Sequence, residues 1–142
     1  MQISARNIFK GTVRTLHPGP INSEVEIALG GNDSLVAQIT NSSAQQLGLA
    51  QGSPVVALVK ASSILVMSES SGIRLSARNI LTGKVTHVSN GQVSSEVTIT
   101  LPSGTVLHAT ITLDAVRELG IREGVTASAV FKASAVILGV AA

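Results

Sequence analysis

The sequence predicts an all-β protein built as two tandem small five-stranded β-barrels, each with one short helix. Three observations carry that prediction. The 142-residue chain is one pattern written twice: Ser4-Ala5-Arg6-Asn7-Ile8 returns as Ser76-Ala77-Arg78-Asn79-Ile80, and Lys60-Ala61-Ser62 returns as Lys132-Ala133-Ser134, at a constant offset of 72. Within each copy, apolar residues alternate with the period of a half-buried strand. Gly- and Asn-rich turns separate the alternating runs. The offset lays 3–70 on 75–142 without a gap. A repeat of that length is a duplicated domain and not a solenoid unit, so the expected domains are 1–70 and 73–142.

The elements follow in order. Each copy opens with a long strand, about Ile3 to Thr15 across Gly11 and about Leu75 to His87 across Gly83. Glycine at the same place in both strands suggests a barrel strand that bends sharply. A hairpin comes next: Val25, Ile27 and Leu29 alternate, then Leu35, Ala37 and Ile39, around Gly30-Gly31-Asn32-Asp33. Its copy has Val97, Ile99 and Leu101, then Leu107, Ala109 and Ile111, around Pro102-Ser103-Gly104. Short helices span Asn41–Leu47 and Leu113–Leu119, with polar starts that cap free N–H groups, and Gly48 and Gly120 fit the left-handed position after the last turn. Two late strands complete each unit, about Pro54–Val59 and Ile64–Ser68 in the first, joined by Lys60-Ala61-Ser62-Ser63. Five strands and one helix in this order suggest a barrel of oligonucleotide-binding (OB-like) topology. The link Ser70–Arg74 is short, which implies that the halves lie close together.

Composition narrows the function classes. A half of about 70 residues is near the lower limit for a domain that folds alone. The chain has no Cys, Trp or Tyr and two Phe, so no disulfide or cysteine-bound metal reinforces the core. The halves are therefore expected to pack together and against other chains. Ten basic and eight acidic residues give a net charge of +2 with no run of Lys or Arg. Nucleic-acid grooves combine a basic track with stacking rings, and this sequence asks for no nucleic-acid partner. No apolar run is long enough to span a bilayer. Met1–Arg6 enters a strand pattern at once, without a leader. The expected location is cytoplasmic, with no membrane partner.

What recurs most sharply is polar. In a strand, Ser4 and Arg6, like Ser76 and Arg78, face one side. A hydroxyl and a guanidinium together can grip a tetrahedral oxyanion through charge-assisted bonds. Asn7 and Asn79 point the other way, toward backbone or a second site. The competing reading pairs Arg6 or Arg78 with the matched acids Glu24 or Glu96. Lys60, Ala61 and Ser62, with Lys132, Ala133 and Ser134, lie in a turn whose N–H groups can converge on an anion; an exposed turn lysine is the alternative. Thr40 and Thr112 sit before the helices, as caps or as ligand contacts. Ser23 and Ser95 match as well and offer a hydroxyl. His17, His87 and His108 do not recur and make no metal-ligand spacing, so surface positions are expected for them. No repeated Ser–His–Asp set, nucleophile elbow or phosphate-binding glycine loop is present. A donor set without a base or nucleophile suits an anion binder and not an enzyme.

These residues resemble a known family. Ser-Ala-Arg-Asn-Ile followed by Gly, Leu-Gly before a Gly turn, and Lys-Ala-Ser after the next strand are similar to the molybdenum-pterin-binding (Mop) domain, here over nearly the whole chain. Two such domains in tandem resemble the molbindins, cytoplasmic molybdate-binding proteins. The resemblance implies a small OB-like barrel and reversible binding of molybdate, with tungstate as its analogue. It implies oxyanion sites at interfaces between domains of a homo-oligomer, a trimer of six domains. Ser4, Arg6 and Asn7, with Ser76, Arg78 and Asn79, match its first binding segment. Lys60, Ala61 and Ser62, with Lys132, Ala133 and Ser134, match its second, and Thr40 and Thr112 are further candidates. Storage or homeostasis of molybdenum is the implied role. A molybdate-responsive sensor is the alternative, and a nucleic-acid-binding module or an enzyme acting on a molybdenum cofactor are the remaining ones.

Overall fold

The alternation written into the sequence becomes antiparallel sheet in the computed structural model, which describes residues 1–68 and 72–142. Two compact units form: Met1–Val59 with Lys132–Ala142, and Lys60–Phe131.

In the first unit, β1 (Asn7–Pro18) pairs with β2 (Asn22–Gly30) on one side and β4 (Pro54–Val59) on the other. β2 pairs with β3 (Asp33–Thr40), and β4 with β10 (Val136–Gly139), giving the order β10-β4-β1-β2-β3. A 3-10 turn, Ala133–Ala135, leads into β10; turn and strand both pack against β3, which closes the sheet on itself. Helix α1 (Asn41–Gln46) follows β3. The second unit repeats the plan. β6 (Asn79–Asn90) pairs with β7 (Ser94–Thr100) and β9 (Thr126–Phe131), β7 with β8 (Val106–Thr112), and β9 with β5 (Leu65–Met67). Helix α2 (Leu113–Leu119) follows β8, and the 3-10 turn Ala61–Ser63 packs on that strand.

The cores are the inward sets of these strands. Val25, Ile27, Leu35 and Ala37 are fully buried in the first unit, with Val97, Ile99, Leu107 and Ala109 at the same places in the second. Their outward neighbours Glu24, Glu26 and Glu96 stay partly solvated. Ten strands in two five-stranded sheets, among the described residues, bear out the all-β class. The hairpin turns place Gly30, Gly31 and Gly104 at positive φ, where a side chain is disfavoured.

Three expectations meet a different outcome. The late strands do not complete their own copy. β5 pairs with β9, and β4 takes β10 as its second neighbour. Each compact unit thus joins segments of both repeats, so sequence repeats 1–70 and 73–142 do not coincide with the units in space. The reason is the connection. Ser63 N–H and Ile64 N–H bond to Lys60 and Ala61 carbonyls in a single 3-10 turn, which redirects the chain without folding it back as a hairpin. The open edge of β4 must still be paired, and β10 supplies the bonds. Second, β1 and β6 begin at Asn7 and Asn79, not Ile3 and Leu75. Asn7 stands opposite Val59, the last residue of β4, and Asn79 opposite Phe131, the last of β9, so no partner remains for the preceding residues. Third, the irregularity in the long strands lies between Val13 and Thr15 and between Val85 and His87, not at the glycines. Gly11 and Gly83 answer a close approach instead: a Cβ would strike the carbonyl oxygen of Ala28 or Thr100. Of the expected link at Ser70–Arg74, Ser70 and Ser71 lie outside the described residues.

Two outcomes follow from this packing. Gly83→Ala should destabilise the protein by about 1–3 kcal/mol, since the methyl meets backbone that can move only with the sheet; urea unfolding gives the value. Residues 1–70 expressed alone should not yield a folded monomer, because β4 would lack β10. A cooperatively unfolding monomer of that fragment in sedimentation and circular dichroism would contradict the exchanged pairing.

Candidate functional site

The register gathers the recurring polar segments at defined places in each unit. In the first, Asn7, Val59 and Val136 stand abreast on three adjacent strands. Ser4 and Arg6 lie on the segment that leads into β1 just ahead of this row. Lys132, Ala133 and Ser134 run into it from the 3-10 turn before β10. Thr40, at the end of β3, meets the same turn through the strand closure, and Thr40 and Ser134 line one surface depression of about 490 Å³. A threonine of the first repeat and a serine of the second therefore line one depression. In the second unit, Asn79 pairs with Phe131, and the turn with Lys60, Ala61 and Ser62 packs against β8, which ends at Thr112.

The fourteen expected residues divide by environment. Ser4, Arg6, Thr40, Lys60, Ser62, Ser76, Arg78, Thr112, Lys132 and Ser134 are exposed. Asn7 and Asn79 are buried, 1% and 3% exposed. The Asn7 amide donates to the Val59 carbonyl at 3.2 Å, tying the start of β1 to the end of β4. Ala61 and Ala133 are buried beneath their turns. Because Ser4 and Arg6 precede β1, strand alternation does not fix their common side; the same holds for Ser76 and Arg78 before β6.

Thr40 and Thr112 are helix caps. Thr40 Oγ1 accepts the Ser43 N–H at 3.0 Å and donates to Ser43 Oγ at 2.9 Å. Thr112 Oγ1 accepts the Ala115 N–H at 3.1 Å. Capping turns α1 so that Ser43, Gln46 and Leu47 face the depression, whose wall also includes Asn22 and Gln38. Among the described residues no ionisable side chain lines it, and Ile39, Leu47, Val136, Ile137 and Leu138 form its apolar part. Its polar groups are amides and hydroxyls, which donate hydrogen bonds to an anion without a competing carboxylate. The 3-10 turns add N–H groups: in such a turn the first N–H groups make no bond within it. Arg6 and Lys132 supply positive charge at the segments that approach the row.

Repetition did not reveal Asn22, Gln38, Ser43 and Gln46, because they become Ser94, Thr110, Ala115 and Glu118. Ser23 and Ser95 turn inward. Ser23 Oγ bonds Asn41 Oδ1 at 2.5 Å and Ser95 Oγ bonds Asn90 Oδ1 at 2.9 Å, so both fasten loops. Of the histidines, His17 and His87 are exposed, while His108 is half-buried with Nδ1 3.2 Å from Thr98 Oγ1 and 3.7 Å from Glu96.

Residues 3–66 and 75–138 each match the TOBE domain, and the chain belongs to that family as a tandem pair. It is 56% identical to the cytoplasmic molybdate-binding protein ModG, in a solved structure with molybdate bound, over 99% of this chain and 100% of that one, with a TM-score of 0.96. It is 45% identical over 99% of its length to the molybdenum transport protein ModE of Azotobacter vinelandii. It is 42% identical over 97% to the molybdenum-pterin-binding protein MopA of Rhodobacter capsulatus. The chain spans about half the length of these curated relatives, 52% of each. The fold class and the Mop resemblance are borne out.

The capping geometry has a measurable consequence. Thr112→Ala should cost about 1 kcal/mol by stranding the Ala115 N–H, and Thr112→Ser should recover most of it. Denaturant midpoints of the two variants check this.

Proposed function

We propose that this tandem TOBE pair reversibly binds molybdate, with tungstate as an equivalent ligand, and serves cytoplasmic molybdenum storage or homeostasis without catalysing a reaction. The observation that carries the reading is the shared site: Thr40 of one repeat beside Ser134 of the other, in a chain 56% identical over its length to a protein solved with molybdate bound. Molybdate is a tetrahedral dianion. Arg6 and Lys132, and their twins Arg78 and Lys60, offset its charge, while the hydroxyls of Ser4, Ser134, Ser76 and Ser62 and the N–H groups of the Lys-Ala-Ser turns direct hydrogen bonds to its oxygens. Ala61 and Ala133 let the ion approach the main chain. Asn7 and Asn79 hold the strand ends that carry these donors. Thr40 and Thr112 orient the helices beside them.

A dianion left poorly paired in a dry site is costly. Donors exposed on a single chain gain strength when a second copy covers them, which favours sites completed between subunits of a homotrimer. Matched exposed apolar residues support such contacts: Ile3 and Leu75, Ile8 and Ile80, Ile21 and Val93. A second reading, sensing molybdate for another protein, is favoured by 31% identity over 97% of the chain to the DNA-binding transcriptional dual regulator ModE of Escherichia coli; retention of a specific protein partner only with molybdate present would select it.

Calorimetric titration, with native mass recorded on the same sample, tests the main reading. Molybdate and tungstate should bind a trimer, with sulfate inert because its smaller oxyanion fails to span the donors. Lys60→Ala with Lys132→Ala should weaken uptake by at least about tenfold, the loss of charge-assisted bonds. Binding to the folded state alone should raise stability by about 2.7 kcal/mol at a hundredfold excess over Kd. An unchanged melting temperature at saturating molybdate counts against the reading.

A further inference from the structure

We propose that the two oxyanion sites of the chain are unequal, that the first unit's site fills first, and that the pair Gln46 and Glu118 sets the difference. This rests on the molybdate reading above and deepens it. The attractive groups are matched between the units: Arg6 with Arg78, Lys132 with Lys60, Ser134 with Ser62, Thr40 with Thr112. The wall behind them is not. In the first unit it carries the amides of Asn22, Gln38 and Gln46. The offset of 72 replaces these with Ser94, Thr110 and Glu118.

The same elements build both walls. β3 packs against the turn Ala133–Ala135 and β10, and β8 packs against the turn Ala61–Ser63 and β5. Threonine caps fix the rotation of both helices through the N–H three residues on, Ser43 in α1 and Ala115 in α2. Ser43, Gln46 and Leu47 form the face of α1 that lines the depression. Their spacing is that of one helix face, and Ala115, Glu118 and Leu119 occupy the same face of α2.

Gln46 offers two N–H donors, whereas an ionised Glu118 only accepts. The exchange thus removes a donor and adds a charge of the ligand's sign. Asp114, four residues before Glu118 on α2, adds to it, and Ser42 is its neutral counterpart. Arg117 is turned about 100° from Glu118 around the helix, and its spacing of three from Asp114 lets it offset that residue's charge more than that of Glu118. α1 itself bears no charged residue. At a separation on the order of 8 Å, repulsion between a carboxylate and a dianion in a solvent-open site weakens binding by roughly five- to tenfold, and salt shrinks the effect.

The test is molybdate titration of the full chain at low ionic strength, comparing wild type, Glu118→Gln and Gln46→Glu, with circular dichroism and native mass as folding controls. The wild type should show two classes of site about tenfold apart. Glu118→Gln should draw the weaker class toward the stronger, and Gln46→Glu should weaken the stronger class about tenfold. A Glu118→Gln isotherm superimposable on wild type overturns the inference while leaving molybdate binding intact. Absence of uptake by all three folded proteins overturns the molybdate reading itself, and the inference with it.

Discussion

The backbone pairing of β4 with β10, and of β9 with β5, is the interaction on which the rest of the structure depends. β4 pairs with β1 along one edge, and its other edge presents a row of N–H and C=O groups that solvent alone would satisfy poorly once the barrel core forms. β10 fills that edge and carries Val136 and Leu138 into the core of the first unit. It also brings the turn Ala133–Ala135 against β3. Closure of the barrel and placement of Lys132–Ser134 beside Thr40 are therefore one event. Thr40 of one repeat lines the same depression as Ser134 of the other because a strand has been exchanged.

This arrangement fits the chemistry of an oxyanion. Neutral polar side chains share the depression of the first unit with Ile39, Leu47, Val136, Ile137 and Leu138, and Arg6 and Lys132 stand on segments outside its lining. The buried asparagines serve the same end indirectly. The Asn7 amide anchors the row that carries the donors, so the lead-in segment with Ser4 and Arg6 departs from a fixed point.

Duplication preserves Ser4, Arg6, Thr40, Lys60 and Ser62 as Ser76, Arg78, Thr112, Lys132 and Ser134 but has let the helix walls diverge. α1 is uncharged, whereas α2 carries Asp114, Arg117 and Glu118. The caps Thr40 and Thr112 are retained in both, so the helices keep their orientation while the chemistry of the face changes. Pseudo-symmetric sites can thus differ in strength without any change in fold, through residues that comparison of the repeats passes over.

The sequence by itself determined much. Period-2 alternation located the hairpins Val25–Ile39 and Val97–Ile111, Gly30 and Gly104 marked their turns, and Thr40 and Thr112 announced the helix starts. The recurring Ser-Ala-Arg-Asn and Lys-Ala-Ser segments pointed to an oxyanion and to the family. These are local signals, each set by side-chain period, turn chemistry or a cap within a few residues. The tertiary structure alone decided that β5 and β10 change places, that Ser4 and Arg6 lie ahead of their strand, and that Gly11 and Gly83 yield to a neighbouring carbonyl. It also decided that Gln46 and Ser43 share a wall with Ser134. The physical reason is that alternation states which face of a strand is buried but not which edge it will meet. Edge pairing is chosen by the three-dimensional closure of the sheet, through backbone groups that are the same in every residue.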